Sequence, residues 1–142
     1  MVEDFLHVGI GVKNLEKSIE FYRDVMQMQE EFRAYHEGER ISSVVGVDDA
    51  ELNVCVLKKG NVRIELIEYG SKAENGCGHK RQNEPGLIHI AFIVDDVDKE
   101  YERIKKHGYK FFAPPMVTRE NGPKITYFEG PDNVVIEIYQ KV

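Results

Sequence analysis

The chain has 142 residues, of which 42% are hydrophobic and 31% charged, and its formal net charge at pH 7 is −6. This length allows one domain with a core of its own, and no apolar run approaches the roughly 20 residues that a membrane span needs. The negative charge argues against a nucleic-acid partner, because such proteins neutralise phosphates with Lys and Arg.

The first half of the chain predicts a βαβββ module over residues 5–68. Residues 5–12 form a mostly apolar strand, and Asn14 can cap a helix whose apolar residues recur at helical spacing. Three more strands are predicted at residues 31–36, 52–58 and 62–68. Residues 59–61, Lys-Gly-Asn, form the turn between the last two strands.

A second βαβββ module is predicted over residues 87–140, after a loop at 69–86. It opens with a strand at 87–94, and Asp96 caps a helix that ends at His107 and Gly108. Its last three strands are predicted at residues 109–112, 124–129 and 134–140. Tyr127 and Phe128, on the second of these, are expected to pack the wall of a cleft.

The two modules share a repeated sequence. Residues 6–17 reappear as 88–99, an offset of 82 positions, and residues 63–67 reappear as 135–139, an offset of 72. A single duplication predicts two modules related by an approximate twofold axis, each too small to close its own core. We therefore expect one α+β domain over residues 1–142, in which curved mixed sheets enclose a metal-binding cleft.

Each repeat contributes one histidine and one glutamate within an apolar strand, His7 and Glu65 in the first and His89 and Glu137 in the second. A buried ionised carboxylate needs a partner, and a divalent cation supplies one. A lone histidine in such a strand is usually a hydrogen-bonded core residue, and a glutamate near a strand end usually faces water. The duplication favours a metal site, and these donors suit zinc, nickel, cobalt, manganese or iron.

The segments around these four residues resemble the vicinal oxygen chelate superfamily, which includes glyoxalases, bleomycin-resistance proteins and dioxygenases. The resemblance covers essentially the whole chain and is carried by residues 7–12, 21–22, 64–68, 86–92 and 130–137. It implies that His7, Glu65, His89 and Glu137 bind one divalent metal ion. The first strand and helix are most similar to methylmalonyl-CoA epimerase, and the ligand positions are also similar to bacterial glyoxalase I.

The resemblance implies a metal-dependent isomerase or lyase that removes a proton beside a carbonyl group, as methylmalonyl-CoA epimerase and lactoylglutathione lyase (glyoxalase I) do. The substrate would be a small carbonyl compound or thioester. We predict Glu137 as the catalytic base and Glu65 as the second candidate. Two alternatives stay open, an Fe(II) ring-cleaving dioxygenase and a non-catalytic antibiotic-binding resistance protein. The epimerase takes a second base from its second strand, and the corresponding residues here, 41–44, include no carboxylate.

The remaining expectations concern location, assembly and the other reactive side chains. The N-terminus shows no secretory signal, so the expected location is the cytoplasm. A homodimer is the default assembly, with the modules paired either within one chain or between two. Cys55 and Cys77 match no metal or redox spacing and are expected to be reduced thiols. The unduplicated histidines, His36, His79 and His107, are expected at the surface.

Overall fold

The computed structural model describes residues 6–70, 87, 89–117 and 119–142. The chain divides into two compact units between residues 76 and 77, and each unit holds one of the two predicted modules. The predictions for residue 5, for residues 71–86 of the loop, and for Cys77 and His79 lie outside the described residues. Within the described residues, no helix is long and apolar enough to cross a membrane.

The first unit is a four-stranded mixed sheet with two helices. Its elements are β1 (Val8–Gly11), α1 (Leu15–Glu20), β2 (Gln29–Glu37), α2 (Glu39–Val45), β3 (Glu51–Lys59) and β4 (Val62–Tyr69). The strand order is β1-β4-β3-β2, with β1 parallel to β4 and the other pairs antiparallel. Helix α1 continues into a π-helical turn, Phe21–Val25, and packs on β3 and β4.

The second unit repeats this topology. Its elements are β5 (Ile90–Val94), α3 (Val97–Lys106), β6 (Met116–Val117), β7 (Lys124–Glu129), a 3-10 turn (Pro131–Asn133) and β8 (Val135–Gln140). The strand order is β5-β8-β7-β6, and again the first strand is parallel to the last while the others are antiparallel. The α+β prediction of two mixed-sheet modules is confirmed, and both sheets are open.

Helix α2 was not predicted, and among the described residues it exists only in the first unit. Its Ile41 and Val45 pack on a buried cluster of residues that the sheet presents, which includes Val54 and Val56. Residues 41–44 therefore belong to this helix, whereas the second strand is β2. The sequence signal was weak because Ser and Val are poor helix formers, so burial against the sheet stabilises the helix more than propensity does.

The strand predicted at residues 109–112 is wrong. Only Phe111 makes an isolated bridge, to Phe128, and the edge strand of this sheet is β6 instead. The rings of Tyr109 and Phe111 pack on Phe128 at centroid distances of 5.9 and 4.8 Å. Tyr109 and Phe111 thus pack on the buried Phe128, whereas Phe112 is exposed. The alternating apolar pattern of this segment reflects that packing and not a strand of the sheet.

Both repeat helices begin with the same side-chain cap. The Asn14 side chain accepts a hydrogen bond from the Lys17 backbone N–H at 2.9 Å, and Asp96 accepts one from the Lys99 N–H at 3.1 Å. Such caps satisfy backbone donors that have no partner within the helix. The predicted start of each helix is confirmed at both positions.

A second hydrogen bond ties the first residue of each helix to the last strand of its sheet. The Leu15 N–H donates to Glu68 Oε2 at 2.8 Å, and the Val97 N–H donates to Gln140 Oε1 at 2.9 Å. The two acceptors are 72 positions apart, the same offset that separates Glu65 from Glu137. One strand of each module therefore orients the helix as well as carrying the candidate ligand.

Replacing Asn14 by alanine should lower the free energy of unfolding by about 1 kcal/mol, because the Lys17 N–H then loses its acceptor. Asn14→Asp should stay within about 0.5 kcal/mol of the parent, since aspartate fills the equivalent position of the second repeat. Urea unfolding followed by circular dichroism measures both changes. Equal stability of Asn14→Ala and the parent would show that this cap contributes nothing.

Candidate functional site

In the first unit, strand pairing places His7 beside Glu65. Strand β1 runs parallel to β4 with Gly9 opposite Glu65, and His7 lies two residues earlier on the same face. His7 Nε2 is 3.1 Å from Glu65 Oε2. A Cβ at Gly9 would lie 4.0 Å from that oxygen, an ordinary van der Waals contact, so the backbone of β1 runs close beside the carboxylate.

The second unit repeats the arrangement with His89 and Glu137. Strand β5 places Ala91, the counterpart of Gly9, opposite Glu137. His89 Nε2 is 3.2 Å from Glu137 Oε2. The Glu137 side chain is only 9% exposed, whereas that of Glu65 is 24% exposed.

The separation within each pair fits two donors of one metal ion. Ligand atoms about 2.1 Å from a cation lie about 3.0 Å apart at a right angle and about 3.4 Å apart at the tetrahedral angle. The observed 3.1 and 3.2 Å fall between these values. Each unit thus provides one imidazole nitrogen and one carboxylate oxygen that could bind the same cation. Across the parts of the chain that the structure describes, no group of three or more His, Cys, Asp or Glu side chains is arranged to bind a metal.

Tyr127 is an additional polar neighbour of the second pair. It lies directly opposite Glu137 in the antiparallel pairing of β7 and β8, and its ring meets the His89 imidazole edge to face at a centroid distance of 5.4 Å. Burial raises the pKa of Tyr127, and the charge of Glu137 and a hydrogen bond to its carboxylate raise it further. The phenol is therefore protonated at neutral pH and can donate to Glu137.

Phe128, which was expected beside Tyr127 on the cleft wall, lies on the opposite face. It is paired with Ile136 rather than Glu137, and it is fully buried against Tyr109 and Phe111. Strand alternation separates neighbouring residues in this way. The signal for Tyr127 was available in the sequence as its position across a hairpin from Glu137.

The face that carries Glu65 has different neighbours. Val56 lies directly opposite Glu65 in the pairing of β3 and β4, and Val54 follows on the same face under helix α2. The residue that corresponds to Tyr127 is thus Val56. Beside Glu65, the neighbouring strand supplies a methyl surface where the second unit supplies a hydroxyl.

The sequence analysis missed a charged cluster around Arg63, which lies two residues before Glu65 on β4. Arg63 donates two hydrogen bonds to Glu31, at 2.6 and 3.0 Å, and Lys58 lies 3.4 Å from the same carboxylate. These cations lower the pKa of Glu31 to about 2. Glu31 is therefore ionised at neutral pH and held by its cationic partners, which makes it a poor proton acceptor.

Comparison with known proteins identifies the family. A family model described as the Glyoxalase/Bleomycin resistance protein/Dioxygenase superfamily matches residues 4–138. The chain belongs to this superfamily. A lactoylglutathione lyase of Neisseria meningitidis is 33% identical over 143 residues, which is 96% of this chain and 89% of the relative. The mitochondrial methylmalonyl-CoA epimerase of Mus musculus is 24% identical over 137 residues, or 94% and 71% of the two chains.

Solved structures of other proteins share the fold of this chain. A glyoxalase family protein from Bacillus cereus matches with a TM-score of 0.87 and 24% identity, over 100% of this chain and 96% of that one. A mutant of the fosfomycin resistance protein FosX from Listeria monocytogenes, complexed with Mn(II), matches with a TM-score of 0.66 and 20% identity, over 98% and 90% of the chains. The superfamily thus includes lyases, epimerases and resistance proteins on one architecture.

The remaining candidate side chains have no role in the two pairs. His36 and His107 are exposed, as predicted. Cys55 is fully buried, on the face of β3 opposite to Val54 and Val56, and burial raises the pKa of its thiol to about 11. A buried thiol with that pKa is neither a nucleophile nor a metal ligand at neutral pH.

In a Cys77→Ser variant, Cys55 is the only thiol, and it should react with an aromatic disulfide reagent at pH 8 at least about 100-fold more slowly in the folded protein than in urea. The reasons are its burial and the small thiolate fraction, about one in a thousand, that a pKa of about 11 leaves at that pH. Absorbance of the released thiolate measures the rate. Rapid stoichiometric labelling of the folded variant would contradict the buried placement.

Proposed function

We propose that this chain binds one divalent cation through His7, Glu65, His89 and Glu137. Three observations support the proposal: the repeat supplies the same pair twice, each pair has the separation of two ligands, and Glu137 is a carboxylate with little access to water. A buried carboxylate requires a positive or hydrogen-bonding partner. Nitrogen and oxygen donors of this kind suit zinc, nickel, cobalt, manganese or iron.

We further propose that the protein is a metal-dependent isomerase or lyase acting on a small carbonyl or thioester substrate. Its relatives named lactoylglutathione lyase and methylmalonyl-CoA epimerase support this class. Both reactions begin with removal of a proton from a carbon beside a carbonyl group. A divalent cation, when bound, would stabilise the negative charge that develops on the substrate oxygen.

Glu137 is the proposed base, and Glu65 is the second candidate. The C–H bond breaks, the proton passes to a carboxylate oxygen, and the electron pair moves toward the carbonyl oxygen. In a lyase-type isomerisation the carboxylate then returns the proton to the adjacent carbon, which was the carbonyl carbon, and the hydroxyl proton of the first carbon passes to the new hydroxyl oxygen. In an epimerisation a second group on the opposite face supplies the proton to the original carbon. Glu137 is preferred because its side chain is only 9% exposed, so the proton that it takes from the substrate is shielded from solvent.

The lyase-type reaction is the better supported of the two. One base can take a proton from one carbon and return it to the next, whereas inversion at a single carbon calls for a second group on the other face. Where β3 faces Glu65, it presents Val54 and Val56, and Glu31 of β2 is held by Arg63. An inversion would therefore need both Glu65 and Glu137 as bases, which would leave only the two histidines as permanent ligands, whereas the lyase-type reaction needs one base.

Metal content tests the ligand set. Parent protein stripped with a chelator and reloaded with Ni, Zn or Mn should hold about one ion per chain, and His7→Ala and His89→Ala should each weaken binding by about 100-fold or more. The exposed His36→Ala is the matched control and should bind as the parent does. Elemental analysis after dialysis gives the stoichiometry. Full retention of the ion by either ligand variant would remove that histidine from the site.

Proton transfer tests the reaction class. The loaded parent should convert the hemithioacetal of methylglyoxal and glutathione, and in D2O the product should carry deuterium on the carbon beside the carbonyl. Glu137→Gln should lower kcat by about 100-fold or more, because the amide cannot accept the proton. Full turnover and full metal content in this variant would show that Glu137 is not the base.

Three further assays distinguish the other classes of protein. Methylmalonyl-CoA tests the epimerase reaction, and deuterium exchange at its α-carbon would identify it. Oxygen consumption with a catechol and Fe(II) would identify a dioxygenase. Tight antibiotic binding without bound metal or turnover would identify a resistance protein that only sequesters its ligand.

A further inference from the structure

We propose that Tyr127 is a positioning residue for Glu137, and that its hydroxyl gives the two repeated glutamates different roles. The inference rests on the proposed function, since it assigns which carboxylate of the repeat carries the proton. It concerns a side chain that is not one of the four ligands and whose counterpart in the first repeat is a valine.

The sheet register aims Tyr127 at the second pair. Residues directly opposite each other on antiparallel strands project from the same face with their side chains in contact, and Tyr127 occupies this position relative to Glu137. Its ring packs edge to face on His89 at 5.4 Å. One side chain thus packs on His89 through its ring and lies directly opposite Glu137 on the same sheet face.

The duplication provides an internal comparison. Glu65 has Val56 opposite it on one neighbouring strand and Gly9 on the other, whereas Glu137 has Tyr127 and Ala91. The backbone pairing is the same, so the hydroxyl is the chemical difference at this position. The valine opposite Glu65 has no polar atom to donate.

Burial explains why the difference matters. At 24% exposure Glu65 can be solvated by water, but Glu137 at 9% depends on protein groups. A carboxylate that acts as a base must keep the same orientation toward the substrate both when it is ionised and when it holds the proton. A hydroxyl that donates to the carboxylate holds that direction without removing the second oxygen from the reaction.

The alternative is that Tyr127 only packs on His89, and Tyr127→Phe separates the two roles because it keeps the ring and removes the hydroxyl. With the methylglyoxal–glutathione hemithioacetal as probe, we expect kcat to fall about 10- to 100-fold while KM changes less than about threefold. Nickel stoichiometry and affinity, measured by calorimetry, should stay within about threefold of the parent. Tyr101→Phe, on α3, is the control for loss of a tyrosine hydroxyl and should leave kcat and KM unchanged.

A double variant tests whether Tyr127 acts through Glu137. In the Glu137→Gln background, adding Tyr127→Phe should change kcat by less than about twofold, because the group that the hydroxyl positions is already gone. Additive losses would overturn the proposal by showing that Tyr127 acts independently of Glu137.

The outcomes distinguish this inference from the proposed function. Parent-like kcat in Tyr127→Phe, with an active parent enzyme, would overturn the role of the hydroxyl and leave the proposed function standing. A large loss of nickel affinity in Tyr127→Phe would also overturn it, because the hydroxyl would then support ligand geometry. A parent protein that binds no nickel and turns over neither substrate would refute the proposed function itself.

Discussion

The parallel pairing of the first and last strands of each module is the constraint on which the candidate site depends. Gly9 lies opposite Glu65, and Ala91 lies opposite Glu137, so the histidine two residues earlier projects beside the carboxylate. A slip of one residue in either pairing would move the glutamate to the other face of its sheet. The residue opposite each glutamate is small in both units, Gly9 in the first and Ala91 in the second.

The last strand of each module serves both faces of its sheet. Glu65 and Glu68 are three residues apart, so strand alternation sends them to opposite faces, and Glu137 and Gln140 are related in the same way. One face carries the candidate ligand, and the other carries the acceptor that holds the first N–H of the helix. Helix position and ligand position are thus coupled through one strand, which explains why both features recur with the same offset in the two repeats.

Sequence reasoning succeeded where the signal was local or duplicated. The caps at Asn14 and Asp96 and most strands follow from turn chemistry and periodicity. Repetition singled out the one histidine and one glutamate of each module, which the structure places side by side within each unit. It failed where tertiary packing decides. Helix α2 is held by packing of Ile41 and Val45 on the sheet, and Tyr109 and Phe111 pack on Phe128 instead of extending the sheet as a strand. Neither outcome can be read from a window of a few residues.

The differences between the repeats indicate which of the two repeated glutamates has which role. A symmetric scaffold would offer a substrate two equivalent carboxylates, yet the surroundings of the two glutamates have diverged. Glu65 lies beside Val56 and is 24% exposed, whereas Glu137 is 9% exposed and lies beside Tyr127.

Glu65 has a valine opposite it and more access to water, whereas Glu137 has a tyrosine opposite it and little access to water. A carboxylate that takes and returns a proton during a reaction needs a fixed direction and protection from solvent. The second environment supplies both more fully, and the first suits a permanent ligand. The two modules share one strand topology, but the residues beside the two glutamates differ, Val56 beside Glu65 and Tyr127 beside Glu137. The proposed chemistry depends on this difference, because it assigns proton transfer to one glutamate and metal binding alone to the other.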